Sequence, residues 1–516
     1  MRMWRDDVGL IHRYRRRSDQ NFPPGPPSLP LIGNLHQLPL HKAFLQFTKW
    51  GQQYGEIVGL HFGPQKVVIL NSWRAVKELF DQRGAIYSSR PYIPLVEYVV
   101  PGNSHLAFMK YDKTWRRSRS LITSFLKDDE LVKLLPIQDA ESTQLLWEVL
   151  NKPEKYYDHV MRQFCGVILA SVYGQRGRSE YTEEFFSIQE EWAGLLDPGA
   201  VPPMEVFPWL RYVPSILTPW PGWKKRAASV KDRQRLLYRE LFENAKRRAE
   251  QGKKEDMFVG RMLKKQEKEG FTDTELIYIA GFLIEAGADT TGNSLLAFIL
   301  AMAAYPEVQR KAQVEVDSIF TSEKMPRGAE IGSANMPYLQ AVFLEVLRWR
   351  PGLPLSIPHA TTQNDTYGTY FIPAGTTVLM NVWAIHHNPE DYPNPDTFDP
   401  SRFLENDFGV ADPSSSSQDN TLRRKTYAFG AARRVCAGSS MAEKSLLLSM
   451  AKLLWVFNIS PKDKGVLDTN IETAFKDSIL TGPKEVGIEF ELRDESRRDV
   501  VAREWEQADA FLSTFE

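Results

Sequence analysis

Residues 429–438 read FGAARRVCAG and place Cys436, one of only two cysteines in the chain, just before an apolar helix. The dipole of a helix and its free backbone N–H groups stabilise a thiolate, which is the form of cysteine that binds a metal. Small residues allow this loop to lie flat against a large planar group, and Arg434 could pair with a negative charge on that group. Iron porphyrin meets these requirements. The alternative, a packed core thiol, is the more frequent state of an isolated cysteine near a helix.

The composition of the chain describes a large protein with an ample apolar core. Hydrophobic residues make up 42% and aromatic residues 12% of the 516 residues, enough for one large domain or two to three small ones. The formal net charge of −1 gives no general attraction to nucleic acid. Two cysteines outside any CxxC pair argue against a disulfide scaffold and a zinc ribbon, and they fit a reducing compartment.

The N-terminal segment is strongly basic. Its first 17 residues hold six arginines and two aspartates, and no window of about 18 apolar residues occurs in the chain. We expect residues 1–22 to form either the remnant of a membrane anchor with its basic stop or a disordered basic tail. A proline-rich run beginning at Pro23 predicts a stiff spacer. The folded domain is expected over residues 23–500, followed by a C-terminal tail at 501–516.

The pattern of apolar and turn residues predicts a mainly α-helical protein with a small β portion. Residues 56–70 are β-branched around a Gly-Pro turn and predict two strands, and further short strands are expected over residues 353–385. A long apolar helix begins with a capping box at Thr272 and ends before Pro306. Because this helix is apolar nearly all round, it is predicted to run buried through the centre of the domain. A last apolar helix is expected over residues 438–457.

The cysteine loop resembles the haem-binding signature FGxGxRxCxG of the cytochromes P450, the haem-thiolate monooxygenases. The matching residues are Phe429, Gly430, Arg434, Cys436 and Gly438. Ala432 stands at the middle glycine of the signature, so that backbone position must accept a methyl group. The resemblance implies the cytochrome P450 fold, with a long central helix over the haem and the cysteine loop beneath it. It also implies haem b as the cofactor and Cys436 as the axial ligand of the iron, with the other matching residues binding the cofactor.

A second motif of this family involves three charged residues. Glu345 and Arg348 lie three residues apart on one face of a predicted helix, where the alternative is an ordinary surface salt bridge. The sequence FDPSRF places Arg402 where the family completes a buried Glu–Arg–Arg cluster. The resemblance implies that this cluster holds the fold and the haem and takes no part in the reaction.

Further cofactor contacts are implied by the resemblance. In the sequence WRRSR, Trp115 and Arg119 match the family's pair at a haem propionate, and His359 is also expected to contact the cofactor. The alternative for this arginine-rich stretch is a solvated basic helix face.

The sequence AGADTT, residues 286–291, lies midway along the long helix and is unusual for a helix interior. Gly287 costs about 1 kcal/mol of helix stability there, and a threonine hydroxyl that bonds its own helix bends or opens it. The resemblance implies a widened turn that leaves a groove above the iron. Thr290 would hold the reacting oxygen, and Asp289 would link it to protons from solvent. Core packing alone does not explain a buried aspartate.

The resemblance implies a monooxygenase that inserts one oxygen atom from O2 into an organic substrate. A pocket lined by residues 99–108, 282–286, 353–357 and the chain near Leu480 is mainly apolar, so the expected substrate is apolar or aromatic. The sequence is similar to fungal enzymes of natural-product pathways. The alternatives are a haem-thiolate isomerase or dehydratase that needs no reductase, and a non-catalytic haem protein.

The electrons must come from another protein, because no GxGxxG lies between a strand and a helix in this chain. The resemblance implies an NADPH-cytochrome reductase as the partner. We expect it to dock on the Cys436 side of the haem. The candidate contacts are Arg116, Arg117, Arg423, Arg424, Lys425 and Arg433, and the alternative for each is an exposed charge that only keeps the protein in solution. A Trp- and Pro-rich segment over residues 201–223 suits peripheral contact with a membrane, and the alternative is a packed aromatic loop. The expected location is the cytoplasmic face of the endoplasmic reticulum, or otherwise the cytoplasm.

Overall fold

The computed structural model describes residues 21–214, 218–411, 423–463 and 465–516. We expected residues 1–22 to be an anchor remnant or a basic tail. Residues 1–20 of that segment lie outside the described residues. The first described residues already pack against the folded domain. There Phe22 contacts the ring of His61 at a centroid distance of 5.3 Å.

Helices dominate the described chain, as the sequence predicts. In chain order the α-helices are α1 (Ala43–Tyr54), α2 (Trp73–Val76), α3 (Gly84–Tyr87), α4 (Pro94–Val99), α5 (Lys113–Phe125), α6 (Asp128–Leu131), α7 (Leu135–Asn151), α8 (Tyr156–Ile168), α9 (Ser179–Leu196), α10 (Trp223–Glu250), α11 (Phe258–Glu269), α12 (Asp273–Ala304), α13 (Pro306–Ile319), α14 (Gly328–Ile331), α15 (Pro337–Trp349), α16 (Val382–His386), α17 (Arg402–Glu405), α18 (Ser439–Val456) and α19 (Glu495–Ser513).

Short 3-10 and π helices connect several of these elements. The 3-10 helices are Leu35–Gln37, Pro101–Asn103, Val132–Leu134, Pro153–Lys155, Pro208–Tyr212 and Ala432–Arg434, and the π helices are Lys77–Gln82 and Leu169–Tyr173.

The β portion consists of three small sheets in the described residues. The strands are β1 (Ile57–Phe62), β2 (Gln65–Leu70), β3 (His359–Ala360), β4 (Asp365–Tyr367), β5 (Tyr370–Ile372), β6 (Thr377–Met380), β7 (Phe457–Pro461) and β8 (Ile488–Leu492). The largest sheet has the order β1-β2-β6-β3, with β2 and β6 parallel and the other two pairings antiparallel. Strands from both ends of the chain therefore share one sheet, and the mainly α fold with a small β portion is confirmed.

Helix α12 is the centre of the molecule. Its N-terminus is closed by the predicted capping box, in which Thr272 and Glu275 each accept the other's backbone N–H. Most of its 32 residues are buried, because α8, α10 and α18 all pack against it. Since α12 contributes to both of the large apolar cores, its middle turns are held rigidly between them.

The C-terminal residues that we set apart as a tail belong to the folded body. Residues 501–516 include most of α19, which packs against α7. Val501, Ala508 and Leu512 follow one another at helical spacing and are buried, so they form the apolar stripe of an amphipathic helix. The expectation of a separate tail is therefore wrong, and the spacing of these three residues was the signal for the helix.

Candidate active site

The cysteine loop is closed by backbone geometry. The N–H of Cys436 donates to the carbonyl oxygen of Phe429 at 2.8 Å, and Gly430 takes a φ of +79°, which favours glycine. The thiol of Cys436 borders a cavity of about 370 Å³. Burial raises the pKa of this thiol, while the N–H of Gly438 and the Arg119 guanidinium oppose the rise. The loop thus presents one accessible sulfur atom to the cavity.

Ala432 carries strain within this loop. Its φ is +56°, in the left-handed region that a side chain with a Cβ disfavours. Its N–H donates to Oδ1 of Asp81 at 3.0 Å, which fixes the peptide in this conformation. The methyl group that the sequence places at the family's glycine is accommodated at a cost in backbone energy.

Ala432→Gly should therefore stabilise the protein. We expect the free energy of unfolding to rise by about 0.5 to 1 kcal/mol, because glycine adopts positive φ without the penalty. Denaturant unfolding measures this change. The matched control is Ala431→Gly, since Ala431 is buried and extended with φ of −145°. That control should lower stability, and a loss of stability in both variants would show that Ala432 is unstrained.

The opposite wall of the cavity is the middle of α12. The hydroxyl of Thr290 donates to the carbonyl oxygen of Ala286 at 2.6 Å, and both residues border the cavity. The helix is α throughout residues 286–291, so the widened turn that we expected there is not present. The hydroxyl of Thr290 is satisfied by the carbonyl one turn earlier without opening the backbone ladder.

Gly287 has a packing role that the sequence did not reveal. A Cβ at this position would lie 2.7 Å from Cδ1 of Ile168 on α8. Glycine therefore lets α12 lie close to α8 without displacement of the Ile168 side chain, in addition to leaving room at the cavity.

Asp289 lies beside the cavity and is largely buried. Burial raises the pKa of its carboxyl group, and the nearby Lys476 and a hydrogen bond from Asn293 at 2.8 Å oppose that rise. Thr291 is buried and also borders the cavity. The structure therefore brings Asp289 and both threonines to one cavity.

A group of arginines lines the cavity on the side of the cysteine loop. Arg434 donates to the carbonyl oxygens of Ser88 and Met109 at 2.8 and 2.6 Å and lies 4.0 Å from the centre of the Trp115 ring. Arg119 donates to the carbonyl oxygen of Val435. Burial, followed by repulsion from Arg119, lowers the pKa of Arg434 to about 9.

Arg90 is a third cavity arginine, and sequence reasoning missed it. It is buried and donates to the carbonyl oxygens of Ile357 and Pro358 at 2.7 and 2.8 Å. Its position before a short proline-containing segment carries no motif that would have revealed it.

His359 completes this side of the cavity. Its Nδ1 lies 2.6 Å from the carbonyl oxygen of Tyr87, and its ring stacks on Phe80 at 4.3 Å. Burial lowers the pKa of His359 well below its usual value, so the ring is neutral and donates from Nδ1. The other ring nitrogen, Nε2, can accept a hydrogen bond from a different partner.

The residues around the cavity fit a haem. Arg90, Arg119 and Arg434 donate to backbone carbonyls, and no carboxylate of the described residues lies within ion-pair distance of them. Arg90 is buried and the other two are half-buried, so an anionic group that joined them would offset the cost of holding three cations together. The propionates of a porphyrin are such groups, and the small residues of the loop leave its planar ring access to Cys436.

The charged cluster lies away from the cavity wall and is deeply buried. Nε and Nη2 of Arg348 donate to the two carboxylate oxygens of Glu345, each at 2.7 Å, and both side chains are at most 1% exposed. Arg402 approaches the same carboxylate at 3.7 Å, and the N–H of Asp399 donates to it at 2.9 Å. Arg348 also donates to backbone carbonyls of the segment after α16, including that of Pro395 at 2.9 Å. The cluster therefore ties α15 to the chain that leads toward the cysteine loop.

A thiol and the middle of a long buried helix border one cavity whose lining holds three arginines, and this combination fits a haem-thiolate protein. Comparisons with known proteins agree. The family model "Cytochrome P450" matches residues 23–490. Cytochrome P450 monooxygenase macC of Penicillium terrestre is 35% identical over 512 residues, which cover 96% of this chain and 94% of that protein.

Two other fungal relatives are similar in extent. Cytochrome P450 monooxygenase yanC of Aspergillus niger is 35% identical over 509 residues, with coverage of 96% of this chain and 94% of that protein. Cytochrome P450 monooxygenase patI of Aspergillus clavatus is 33% identical over 499 residues, with coverage of 96% and 93%. The chain belongs to the cytochrome P450 family. It is a haem-thiolate monooxygenase, an oxidoreductase that uses O2 and an organic substrate.

Proposed function

We propose that this monooxygenase carries haem b and inserts one oxygen atom from O2 into an apolar or aromatic substrate of fungal secondary metabolism. The other oxygen atom leaves as water, with two electrons supplied from NADPH through a separate reductase. The observation that carries the proposal is the single cavity that Cys436 and Thr290 share. The fungal relatives support the metabolic setting.

Each wall of the cavity has a separate task in this proposal. Haem iron with a thiolate ligand activates oxygen, because the thiolate donates electron density that favours O–O cleavage. Cys436 would bind the iron, and Arg119 and Arg434 would hold the propionates through charge-assisted hydrogen bonds. The neutral ring of His359 would contact the cofactor beside them. Trp115 would keep the Arg434 guanidinium in place by stacking against it. The carbonyl of Phe429 would hold the Cys436 peptide in position, and the N–H of Gly438 would donate to the Cys436 sulfur.

Protons reach the cavity through α12. The hydroxyl of Thr290 can exchange its bond to the Ala286 carbonyl for one to a group in the cavity, and it can then donate or relay a proton there. Asp289 is the link to solvent in this proposal. Its raised pKa and its neighbour Lys476 support a side chain that both takes up and releases a proton.

Removal of the Thr290 hydroxyl tests this assignment. Thr290→Ala should retain haem and substrate binding and continue to consume NADPH, because no residue that holds the haem is changed. We expect the fraction of NADPH that appears as hydroxylated product to fall about tenfold or more, since general acid catalysis contributes about 10² to 10⁴ in rate, and hydrogen peroxide to rise in proportion. Product and peroxide per NADPH are the measurements.

Thr291→Ala is the matched control, because Thr291 borders the same cavity one residue further on. In this variant NADPH consumption should remain coupled to product formation. Uncoupling by Thr291→Ala with Thr290→Ala unchanged would place the relay on Thr291. If both variants keep NADPH consumption coupled to product formation, the hydroxyl group that relays the proton belongs to another group in the cavity.

The alternatives differ in what drives the reaction. An isomerase or dehydratase of the haem-thiolate class acts on a peroxide without a reductase, and a non-catalytic haem protein turns nothing over. Asp289 and Thr290 at the cavity favour the oxygen-dependent reaction, which needs protons at this wall. NADPH-dependent turnover with an added reductase, compared with peroxide-driven turnover, separates the three.

The reductase would dock on the side of the cysteine loop. Four of the six cations that we named as contacts are in ion pairs. Arg117 pairs with Glu275, Arg423 with Asp391, Arg424 with Asp81 and Lys425 with Asp407. In their place a basic patch surrounds Tyr111 and supports this docking. It consists of the exposed residues Lys110, Lys113, Arg116 and Arg433.

We propose that the protein contacts a membrane through an apolar face formed by two segments, one around Leu31 and one around Trp209. Trp209 and Tyr212 are 61% and 73% exposed, and Leu31 is 70% exposed. The segments are adjacent, because a Cβ at Gly63 would lie 2.4 Å from Val206 Cγ1 and 3.5 Å from the Leu31 carbonyl oxygen. Trp223, at the end of the segment over residues 201–223, is buried and is not part of this apolar face.

No helix in the described part of the chain is long and apolar enough to cross a bilayer. We propose that the apolar face attaches the protein peripherally to the cytoplasmic surface of the endoplasmic reticulum. Aromatic rings of this kind settle at the boundary between headgroups and acyl chains.

The aromatic residues of this face should control attachment to lipid. In sedimentation with phosphatidylcholine vesicles, Trp209→Ser combined with Tyr212→Ser should weaken partitioning about tenfold, because about 1.5 kcal/mol of apolar burial is lost. The control is Trp220→Ser, whose indole is partly buried and donates to the Gly199 carbonyl at 2.9 Å. Equal partitioning of the double variant and the unmodified protein would contradict the proposed face.

A further inference from the structure

The cavity has a polar corner that its apolar lining does not suggest. Nε2 of His105 lies 2.9 Å from Oε2 of Glu285, and the two side chains are only 6% and 8% exposed. The other carboxylate oxygen of Glu285 accepts hydrogen bonds from the hydroxyl of Tyr238 at 2.5 Å and from Nε2 of Gln234 at 2.9 Å. Glu285 and His105 both border the cavity, so a satisfied carboxylate with a histidine in front of it forms part of the wall.

Several polar atoms of this wall have no hydrogen-bond partner among the described residues. They are Nδ1 of His105, Oε1 of Gln189 and Oγ of Ser171, and all three side chains border the cavity. Buried polar atoms are almost always paired in folded proteins. Three such atoms around one cavity indicate that a bound molecule supplies what the protein does not.

The pattern of donors and acceptors defines the missing group. Glu285 accepts from Tyr238, Gln234 and His105, so His105 donates from Nε2, and Nδ1 of the neutral ring is an acceptor. The amide oxygen of Gln189 also accepts, and the hydroxyl of Ser171 does either. A group that donates a hydrogen bond fits this set, whereas a carbonyl or an ether does not.

Aromatic rings enclose the same corner. The ring of His105 lies 4.8 Å from that of Phe108, 5.4 Å from that of Phe282 and 6.3 Å from that of Trp192. These rings border the cavity and would pack against the body of a flat or cyclic molecule. The polar corner therefore lies within an aromatic, apolar environment.

We propose that the substrate carries a hydroxyl group that donates to Nδ1 of His105, and that Glu285 holds His105 in the orientation that accepts it. The proposal rests on the proposed function and specifies the substrate class of the same cavity: a compact apolar molecule with one hydroxyl group. Glu285 precedes Thr290 by five residues, which corresponds to about 7.5 Å along the helix. An anchored hydroxyl therefore lies at a distance from the point of oxidation and selects which carbon faces the cysteine loop.

The experiment compares matched ligands by calorimetry on the haem-loaded protein. The aromatic series is ethylbenzene, 4-ethylphenol and 4-ethylanisole, and the alicyclic pair is ethylcyclohexane and 4-ethylcyclohexanol. We expect the hydroxylated member of at least one series to bind about tenfold tighter than its parent, as one good hydrogen bond allows. A preference in the aromatic series identifies the substrate as a phenol, and a preference in the alicyclic pair identifies it as an alcohol. The anisole accepts but cannot donate, so it should bind no tighter than ethylbenzene.

Variants of His105 test the origin of this preference. His105→Phe should abolish or reverse it, because the hydroxyl would lose its partner on leaving water. His105→Gln keeps both a donor for Glu285 and an acceptor for the ligand, so it should retain a preference. Phe108→Leu is the control at the same corner, and it should weaken the binding of hydroxylated and parent molecules equally.

The outcomes that overturn the proposal are specific. They are equal binding of parents and hydroxylated molecules, no binding of either hydroxylated probe, tighter binding of the anisole, or a preference that survives in His105→Phe. Calorimetry reports binding without turnover, so its result is independent of whether the protein proves to be a monooxygenase. The carbon monoxide spectrum described below tests that function separately.

Discussion

Glu345→Ala should yield protein that holds little haem and unfolds much more easily than the unmodified chain. Arg348 would remain fully buried without the carboxylate that accepts its two 2.7 Å hydrogen bonds, and Arg402 would lose the same partner. An uncompensated buried charge costs about 3 to 5 kcal/mol. That is a large share of the stability of a typical domain. We expect the haem-to-protein ratio and the midpoint of denaturant unfolding to fall together.

The reason for haem loss lies in what the cluster connects. Arg348 donates to backbone carbonyls after α16, and this chain continues toward the cysteine loop. Release of Arg348 should therefore loosen the segment that positions Cys436, although neither residue of the pair touches the cavity sulfur.

A second ion pair with the same spacing provides the control. Glu307 and Arg310 also lie three residues apart, but their side chains are 76% and 64% exposed. Glu307→Ala should leave haem content and unfolding unchanged, because exposed pairs contribute little. If Glu345→Ala kept normal haem content and stability and only slowed turnover, the cluster would have a role in the reaction and our structural assignment would be wrong.

The fold could be predicted from local patterns. The capping box at Thr272 and the proline after α12 fix the ends of the central helix, because caps and prolines act on their own backbone. The Gly-Pro turn between β1 and β2 likewise specifies a hairpin. The parallel pairing of β2 with β6 joins residues about 310 apart, and the sequence indicated only that strands from both ends of the chain exist.

Residues of the site were predictable where a short motif contains them. Cys436, Arg434 and Gly438 share one loop, so a single signature identifies them. Arg90 has no such motif, and its place at the cavity depends on contacts with carbonyls 267 and 268 residues away. The sequence could not show this, because nothing near Arg90 distinguishes it from a surface arginine.

The polar corner was missed for a similar reason. Glu285 lies within the segment 282–286 that we described as mainly apolar, and its partner His105 is 180 residues away. A lone acidic residue in an apolar helix was nevertheless a usable signal, since a carboxylate is buried only with partners. The widened turn was over-predicted, because the effect of a threonine on its helix depends on whether its hydroxyl finds a carbonyl in the unopened helix.

The second large effect concerns the cysteine itself. Cys436 is the one cysteine that borders the cavity, within the part of the chain that the structure describes, and the other, Cys165, is buried in α8. Cys165 does not border the cavity, and burial raises the pKa of its thiol without a neighbouring N–H at the sulfur of the kind that Gly438 supplies to Cys436. Cys436→Ser should therefore remove the thiolate character of the haem and abolish monooxygenase activity. Cys165→Ala should retain both, apart from a modest loss of stability from the small cavity it creates.

The carbon monoxide difference spectrum of the reduced, haem-loaded protein tests the central claim most directly. A thiolate ligand gives the complex a Soret band at an unusually long wavelength, and a neutral ligand does not. We predict this band for the unmodified protein and for Cys165→Ala, and its loss in Cys436→Ser and Cys436→His. Persistence of the long-wavelength band after either change at Cys436, or its absence from the unmodified protein, would contradict the assignment of Cys436 as the iron ligand.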